Sequence, residues 1–363
     1  MKALKLMPFT VLILPGIGTA QVDIPIDDLV TPTIPAQTLF DSTPTVIAEP
    51  TSPQALQTAL QTALGGPQSG ADAQSICFQF SPYLIFGDPK SLTLNDYYTA
   101  QKVTETAKQT FSLSVAAQDF EAEAGDEKVN ARGLAFGFRV QLWRKVPANL
   151  ERIMAFQSAI VKNKDAYDAA FGAAFDALGA APNTAPGSAT EAITLKSSFK
   201  PSAEDLAEIR ELLREQVGWS VELAGALRRD DYEGELLSDG VSRKAVWITV
   251  GYTPPVASIR DFTFLAVVRR TSFESDANRN ASDLGARLLW RLSQKMDASA
   301  EYLSRSQGDN DSDRYSVLIR YAFADRYSIN VAYGRNFAAT GSDEDDFFTV
   351  SLSGGFGSVP LLK

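Results

Sequence analysis

The chain has 363 residues, with 34 Lys and Arg against 44 Asp and Glu, no histidine, one cysteine and a net charge of -10. That acidic balance excludes nucleic-acid binding by phosphate neutralisation, which needs an excess of basic side chains. The lone Cys77 excludes an internal disulfide, and the missing histidine removes imidazole from every catalytic or zinc-binding arrangement.

The first twenty residues, MKALKLMPFTVLILPGIGTA, set Lys2 and Lys5 before an apolar run and place Gly18 and Ala20 ahead of a cut, the pattern of a secretory signal peptide. The run is shorter than the roughly 20 residues of a spanning helix, and Pro15 and Gly16 interrupt it. Cleavage near Ala20 is expected. It leaves a mature chain at -12, since only Lys2 and Lys5 are lost from -10. No later run of 18 apolar residues occurs, which excludes spanning helices but not spanning strands, whose alternation dilutes hydropathy.

Residues 21 to 75 contain seven prolines and begin as an extended periplasmic leader. Ser52 as a cap, Pro53 at the first helical position, Leu56, Leu60 and Leu64 at helical spacing and Gly65 at the end predict a short helix, either a lumen plug or a periplasmic arm. From residue 76 the period becomes two. ICFQFSPYLIF alternates through Ile76, Phe78, Phe80, Leu84 and Phe86, QTFSLSVAAQ through Phe111, Leu113 and Val115, RGLAFGFRVQLW through Leu134, Phe136, Phe138 and Val140, and GWSVELAGAL through Trp219, Val221 and Leu223. Each has one apolar face and one polar or small face, as half-buried strands do.

A helical insertion is predicted over 147–215. Its Ala-rich first half is followed by PSAEDLAEIRELLREQ, where Ser202 and Asp205 form a capping-box pattern and Leu206, Ile209 and Leu213 an apolar stripe, giving two amphipathic helices packed on each other and on the rim of the sheet. Strands then return near 242–252, 261–271, 283–293, 297–306, 313–323, 326–336 and 346–357, eleven in all with the four earlier ones. The connections TPPVAS, SQKM and FADR are short. RDDYEGELLSDG, SFESDANRN, SQGDNDSD and AATGSDEDD are longer and acidic.

Short turns on one side and long loops on the other resemble Gram-negative outer-membrane β-barrels. The resemblance covers roughly residues 76–357, a barrel domain followed by a tail at 358–363. The last strand, with Phe348, Val350, Leu352 and Phe356 in register, is similar to the C-terminal recognition strand of that family, although GSVPLLK follows it. The fold class expected is all-β with a helical insertion, an antiparallel transmembrane barrel. Even parity turns eleven strands into about 12, with 10 to 14 open, and the missing strand is sought at 43–49, 91–100 or 190–199. A soluble β-sandwich would share the period but not the export signal or the loop asymmetry. What the resemblance implies is an outer-membrane monomer whose partners are membrane lipid, lipopolysaccharide and the barrel-assembly machinery, with no cofactor.

The lumen face carries the functional alternatives. The register points Arg139, Arg287, Arg291, Arg305, Arg314 and Arg320 inward alongside Glu222 and Glu301. Such an arginine ladder resembles, weakly, the acidic-oligosaccharide porins and implies a narrow channel for anionic solutes. Alternatively the arginines pair with Glu222, Glu301 and a carboxylate-bearing plug, which gives a structural or envelope-interaction barrel with a largely filled lumen, since small barrels fill their interiors. A cell-surface enzyme is the third reading, disfavoured because the barrel hydrolases resembling this class depend on histidine. Asp309, Asp311 and Asp313 in DNDSD resemble the start of a calcium loop, but Arg314 and Arg320 occupy the Gly and Glu positions, which leaves only weak divalent-cation binding between acidic loops and lipopolysaccharide.

Overall fold

The computed structural model describes residues 34–40, 43, 45–48, 56–64, 74–87, 94–99, 102–124, 127–155, 162, 212, 215–232, 240–273, 280–293, 295–308, 310–324, 327–337 and 346–356. Its strands, in chain order, are β1 (Leu56–Leu64), β2 (Gln74–Phe80), β3 (Ser112–Ala124), β4 (Glu127–Trp143) and the two-residue β5 (Val146–Pro147). After the insertion come β6 (Gln216–Tyr232), β7 (Gly240–Thr253), β8 (Phe262–Phe273), β9 (Ala281–Arg291), β10 (Met296–Gln307), β11 (Asn310–Ala324), β12 (Tyr327–Arg335) and β13 (Asp346–Phe356). All but β5 form one closed antiparallel ring of 12 strands. The ring closes where β1 meets β13, from Leu56 opposite Phe356 to Leu64 opposite Phe348, and β4 pairs β6 across the insertion. Closure leaves no edge, which is the condition for a sheet to lie in hydrocarbon.

Alternation decides which side chains meet lipid. On β8 and β9, Val268 is 62% and Leu284 65% exposed, while their neighbours Val267 and Asp283 are each 1% exposed. An aromatic girdle stands at the end where the barrel begins and finishes: Trp219 with Tyr252 (ring centres 4.6 Å apart), Phe262 with Trp290 (5.6 Å) and Phe323 with Tyr327 (6.2 Å). Farther along, Tyr302, Tyr315 and Tyr333 face outward. Eight residues separate Tyr315 from Phe323, about 20 Å at the usual rise and tilt, close to the ~25 Å apolar band of an outer-membrane barrel. Beyond that band the outer face becomes charged, with Asp119 paired to Arg132 at 2.8 Å and Arg229 to Asp231 at 2.9 Å.

Four expectations change. The predicted helix over 53–64 is instead β1, hydrogen-bonded on both sides, to β2 and to β13. A spacing of four residues is a multiple of two, so Leu56 and Leu60 repeat as well along a strand as along a helix, and ring closure selects the strand. β1 is also the strand that parity required, so the barrel runs from Leu56 and not from residue 76. Of the proposed locations, 43–49 contributes no strand among its described residues, 91–100 holds helix α2 (Leu94–Thr99, following α1), and 190–199 lies outside the described residues. The strand begun at Ile76 stops at Phe80, because Pro82 opens helix α1 (Pro82–Phe86), a first-turn position where its missing N–H costs nothing.

The fourth change concerns SQGDNDSD. β10 extends to Gln307 and β11 starts at Asn310, so the acidic stretch is mostly strand, and just after β10 Gly308 takes φ 64°. The expected signal peptide, most of the 147–215 insertion with Leu206, Ile209 and Leu213, and the tail lie outside the described residues. At the ends of the insertion, β5 pairs β6 and the Ala148 N–H donates to the Glu215 carbonyl at 2.6 Å. Counting strands back from Phe356 places the described ends of the insertion at the barrel end that carries both barrel termini. Helices α1, α2 and α3 (Val103–Thr110) join β2 to β3 at that same end, and the Gln141 N–H, on the inner wall, donates to Thr110 Oγ1 at 2.9 Å.

Candidate functional site in the barrel lumen

The inner wall has two chemistries. Around β12, β13 and β1–β3 it is small and polar: Ser328 meets Ser353 at 2.8 Å, and Asn330 Nδ2 donates to Ser351 at 3.0 Å. From β4 through β11 it carries buried charge in pairs. Arg139 meets Glu222 at 3.2 Å, Arg228 meets Asp230 at 2.6 Å, and Asp283 is held by Arg269 at 2.6 Å and by Arg305 at 2.8 Å. Arg320 pairs with Asp297, its direct cross-strand partner. Buried pairs of this kind persist because breaking one strands a desolvated charge.

All eight residues singled out from the sequence lie on this inner face. Arg139, Glu222, Arg287, Glu301, Arg314 and Arg320 are buried, and Arg291 and Arg305 half-buried. Arg139 pairs with Glu222, one of the expected carboxylates, but Glu301, Arg287 and Arg314 find other partners. Glu301 accepts hydrogen bonds not from a lumen arginine but from the backbone N–H groups of Val46 (2.9 Å) and Ile47 (2.8 Å). Arg287 donates to the Ile47 carbonyl at 2.7 Å and to Ser299 at 2.9 Å, and Arg314 donates to the Thr43 carbonyl. Sequence reasoning missed Asp283, Asp297, Arg228 and Arg269. The count of two that turns Arg287 inward also turns Asp283, four residues earlier, and Glu301 likewise implies Asp297.

The segment these groups hold comes from the Pro-rich leader. It is not the predicted helix, and the contacts run to its backbone, where a carboxylate-bearing plug was expected. A 3-10 turn over Pro35–Leu39 starts it, with Thr43 Oγ1 folding back on the Gln37 carbonyl at 2.6 Å. Ile34, Ala36 and Phe40 pack on Ala59, Cys77, Ala116 and Ala135. Leu39, Val46 and Ile47 pack on Trp247, Leu265, Val267 and Leu303 across the interior. Burying each of these larger side chains contributes about 1.5–3 kcal/mol relative to exposure. The Leu39 carbonyl accepts from Arg228 at 3.3 Å and from Arg243 at 3.4 Å, the Ala36 N–H donates to Ser114 at 3.1 Å, and the Cys77 thiol donates to Gln37 Oε1 at 3.3 Å.

The wall is shaped for the segment. A Cβ on Gly137 would lie 2.8 Å from the Ala36 nitrogen, and one on Gly133 would lie 2.9 Å from the Phe40 ring. Glycine inside a strand marks the close approach of another backbone or ring, and here the approaching chain is the segment. Among the described residues there is no cluster of three acidic or thiol groups fit for a metal ion. Asp311 and Asp313 stand on β11 opposite Ser306 and Ser304, with exposed side chains, and Asp309 lies outside the described residues.

No protein-family model and no curated protein sequence matches the chain. Among solved structures it is similar to the KdgM porin (7% identity, TM-score 0.38, covering 83% of this chain and 98% of that one). The NanC porin gives 7% identity and a TM-score of 0.39 over 83% of this chain and 100% of that one, and Omp33 of Acinetobacter baumannii 8% and 0.36 over 84% and 98%. Overlaps this loose carry no argument about substrate or role. The fold rests on the closed ring, the apolar outer band and the polar, charged interior: the chain folds as a closed 12-stranded β-barrel with the build of one that spans a membrane.

Proposed function

We propose that the protein is an envelope barrel that is closed at rest, its lumen filled by the described residues of 34–48 and by paired charge, with no catalytic role. The observation that carries this reading is the set of hydrogen bonds that join Glu301, as acceptor, and Arg287 and Arg314, as donors, to the segment's backbone, together with its buried apolar side chains. Helices α2 and α3 support it at the other end of the β4 wall. There Tyr97, Gln109 and Thr110 are buried, and the Arg144 guanidinium stacks on Tyr97 at 3.8 Å. Planar-bilayer recording tests it: purified full-length barrel should insert without stable unitary conductance, and a steady open pore would overturn the reading.

A second reading has its own observation. Among the described inner-wall residues, Arg139, Arg228, Arg269, Arg287, Arg291, Arg305, Arg314 and Arg320 outnumber Glu222, Asp230, Asp283, Asp297 and Glu301. An interior with that sign, once emptied, favours anions, because a narrow space is poorly screened over the Debye length of about 8–10 Å. Under this reading any conductance seen is anion-selective. Cation-selective current would sink it.

A further inference from the structure

Resting on the closed-lumen reading, we infer that the leader segment is a built-in ligand occupying a polyanion-binding track, and that an extended anionic polymer displaces it. The segment presents the carbonyls of Leu39, Thr43 and Ile47, four residues apart each time, and every one of them accepts from a lumen guanidinium: Arg228 and Arg243, then Arg314, then Arg287. Three guanidinium stations met in turn by one segment are contacts that an extended chain of anionic groups can use. A neutral carbonyl is the weaker occupant, since an anionic oxygen adds Coulombic attraction and a bidentate fit to the guanidinium's hydrogen bond. Glu301 holds the segment through its N–H groups and repels an anion, so it favours the resting occupant at the far end of the track.

The chain contains its own reporter. Cys77, the single cysteine, faces the lumen at 0% exposure beneath Gln37 and becomes reachable only when the segment leaves. The probe is linear inorganic polyphosphate, and the readout is the rate at which a membrane-impermeant methanethiosulfonate labels Cys77 in the full-length barrel in vesicles. Polyphosphate should accelerate labelling saturably, by about tenfold, the change that ~1.4 kcal/mol of differential binding gives. Sodium chloride at equal ionic strength should not. Glu301→Gln should raise the resting rate and keep the polyphosphate response. Arg287→Gln with Arg314→Gln should raise the resting rate and lose the response. Slow resting labelling that polyphosphate leaves unchanged, or a response that survives the double replacement, overturns the inference alone. Fast labelling of the resting wild-type protein overturns the closed lumen and the inference with it.

Discussion

Arg320 and Asp297 are direct cross-strand partners on β11 and β10, 3% and 2% exposed, with the guanidinium bonded to the carboxylate. Arg320→Gln leaves Asp297 desolvated and opposite a neutral amide, and breaking a buried pair from one side costs about 3–5 kcal/mol. With a urea dependence near ~3 kcal/mol per molar, the upper end for small proteins, the unfolding midpoint should fall by about 1–2 M. The assay is equilibrium urea unfolding of vesicle-inserted barrel, followed by the fluorescence of its 4 tryptophans. Asp297→Asn added to Arg320→Gln should restore most of the loss, because two neutral amides at matched positions can bond each other and no charge is stranded. A midpoint that barely moves in the single variant, or a double variant as unstable as the sum of the two singles, would refute the assignment of these two side chains to each other and to a dry interior.

Leu60→Arg tests β1 as a lipid-facing strand: it should destabilise the inserted barrel by about 2–4 kcal/mol, as arginine does at mid-bilayer, whereas a helix in a periplasmic leader would tolerate it. Gly137→Leu should push the segment off β4, since even a Cβ comes within 2.8 Å of the Ala36 nitrogen, and should speed Cys77 labelling while the heat-modifiable folded band persists on gels. Removal of divalent cations by chelation should leave the urea midpoint unchanged within error, because Asp311 and Asp313 are separate strand positions with no third acidic ligand described beside them.

The barrel was legible because period two is a local signal that survives to the residue: Tyr315, Val317, Ile319 and Tyr321 alternate outward as their spacing says. The inward arginines were legible for the same reason. Parity even announced a missing strand, but LQTALQTAL hid it, since its leucines satisfy both periods and only pairing with β2 and β13 decides between them. The partners of the charges were less legible. Arg320 finds Asp297 through strand register, which depends on turn length, and the turn at Gly308 had been placed inside a longer loop. The segment over 34–48 carried no periodic signal at all. Its irregular spacing of Ile34, Leu39, Phe40, Val46 and Ile47 gains meaning only from the surface opposite, where Gly133 and Gly137 clear space for it.

The closed lumen depends most on the described residues of 34–48 lying inside the ring, and one added thiol tests that directly. Gln37 Oε1 lies 3.3 Å from Sγ of Cys77, the only native cysteine, so Gln37→Cys sets a second thiol in the same part of the lumen, and a small shift of the segment brings the two sulfurs together. Under mild oxidation the variant should form an intramolecular disulfide, seen as loss of both free thiols and of two hydrogens by intact mass, with no dimer on non-reducing gels. If the new thiol instead reacts freely with a bulky maleimide while Cys77 stays protected, the segment lies outside the barrel and the closed lumen is contradicted.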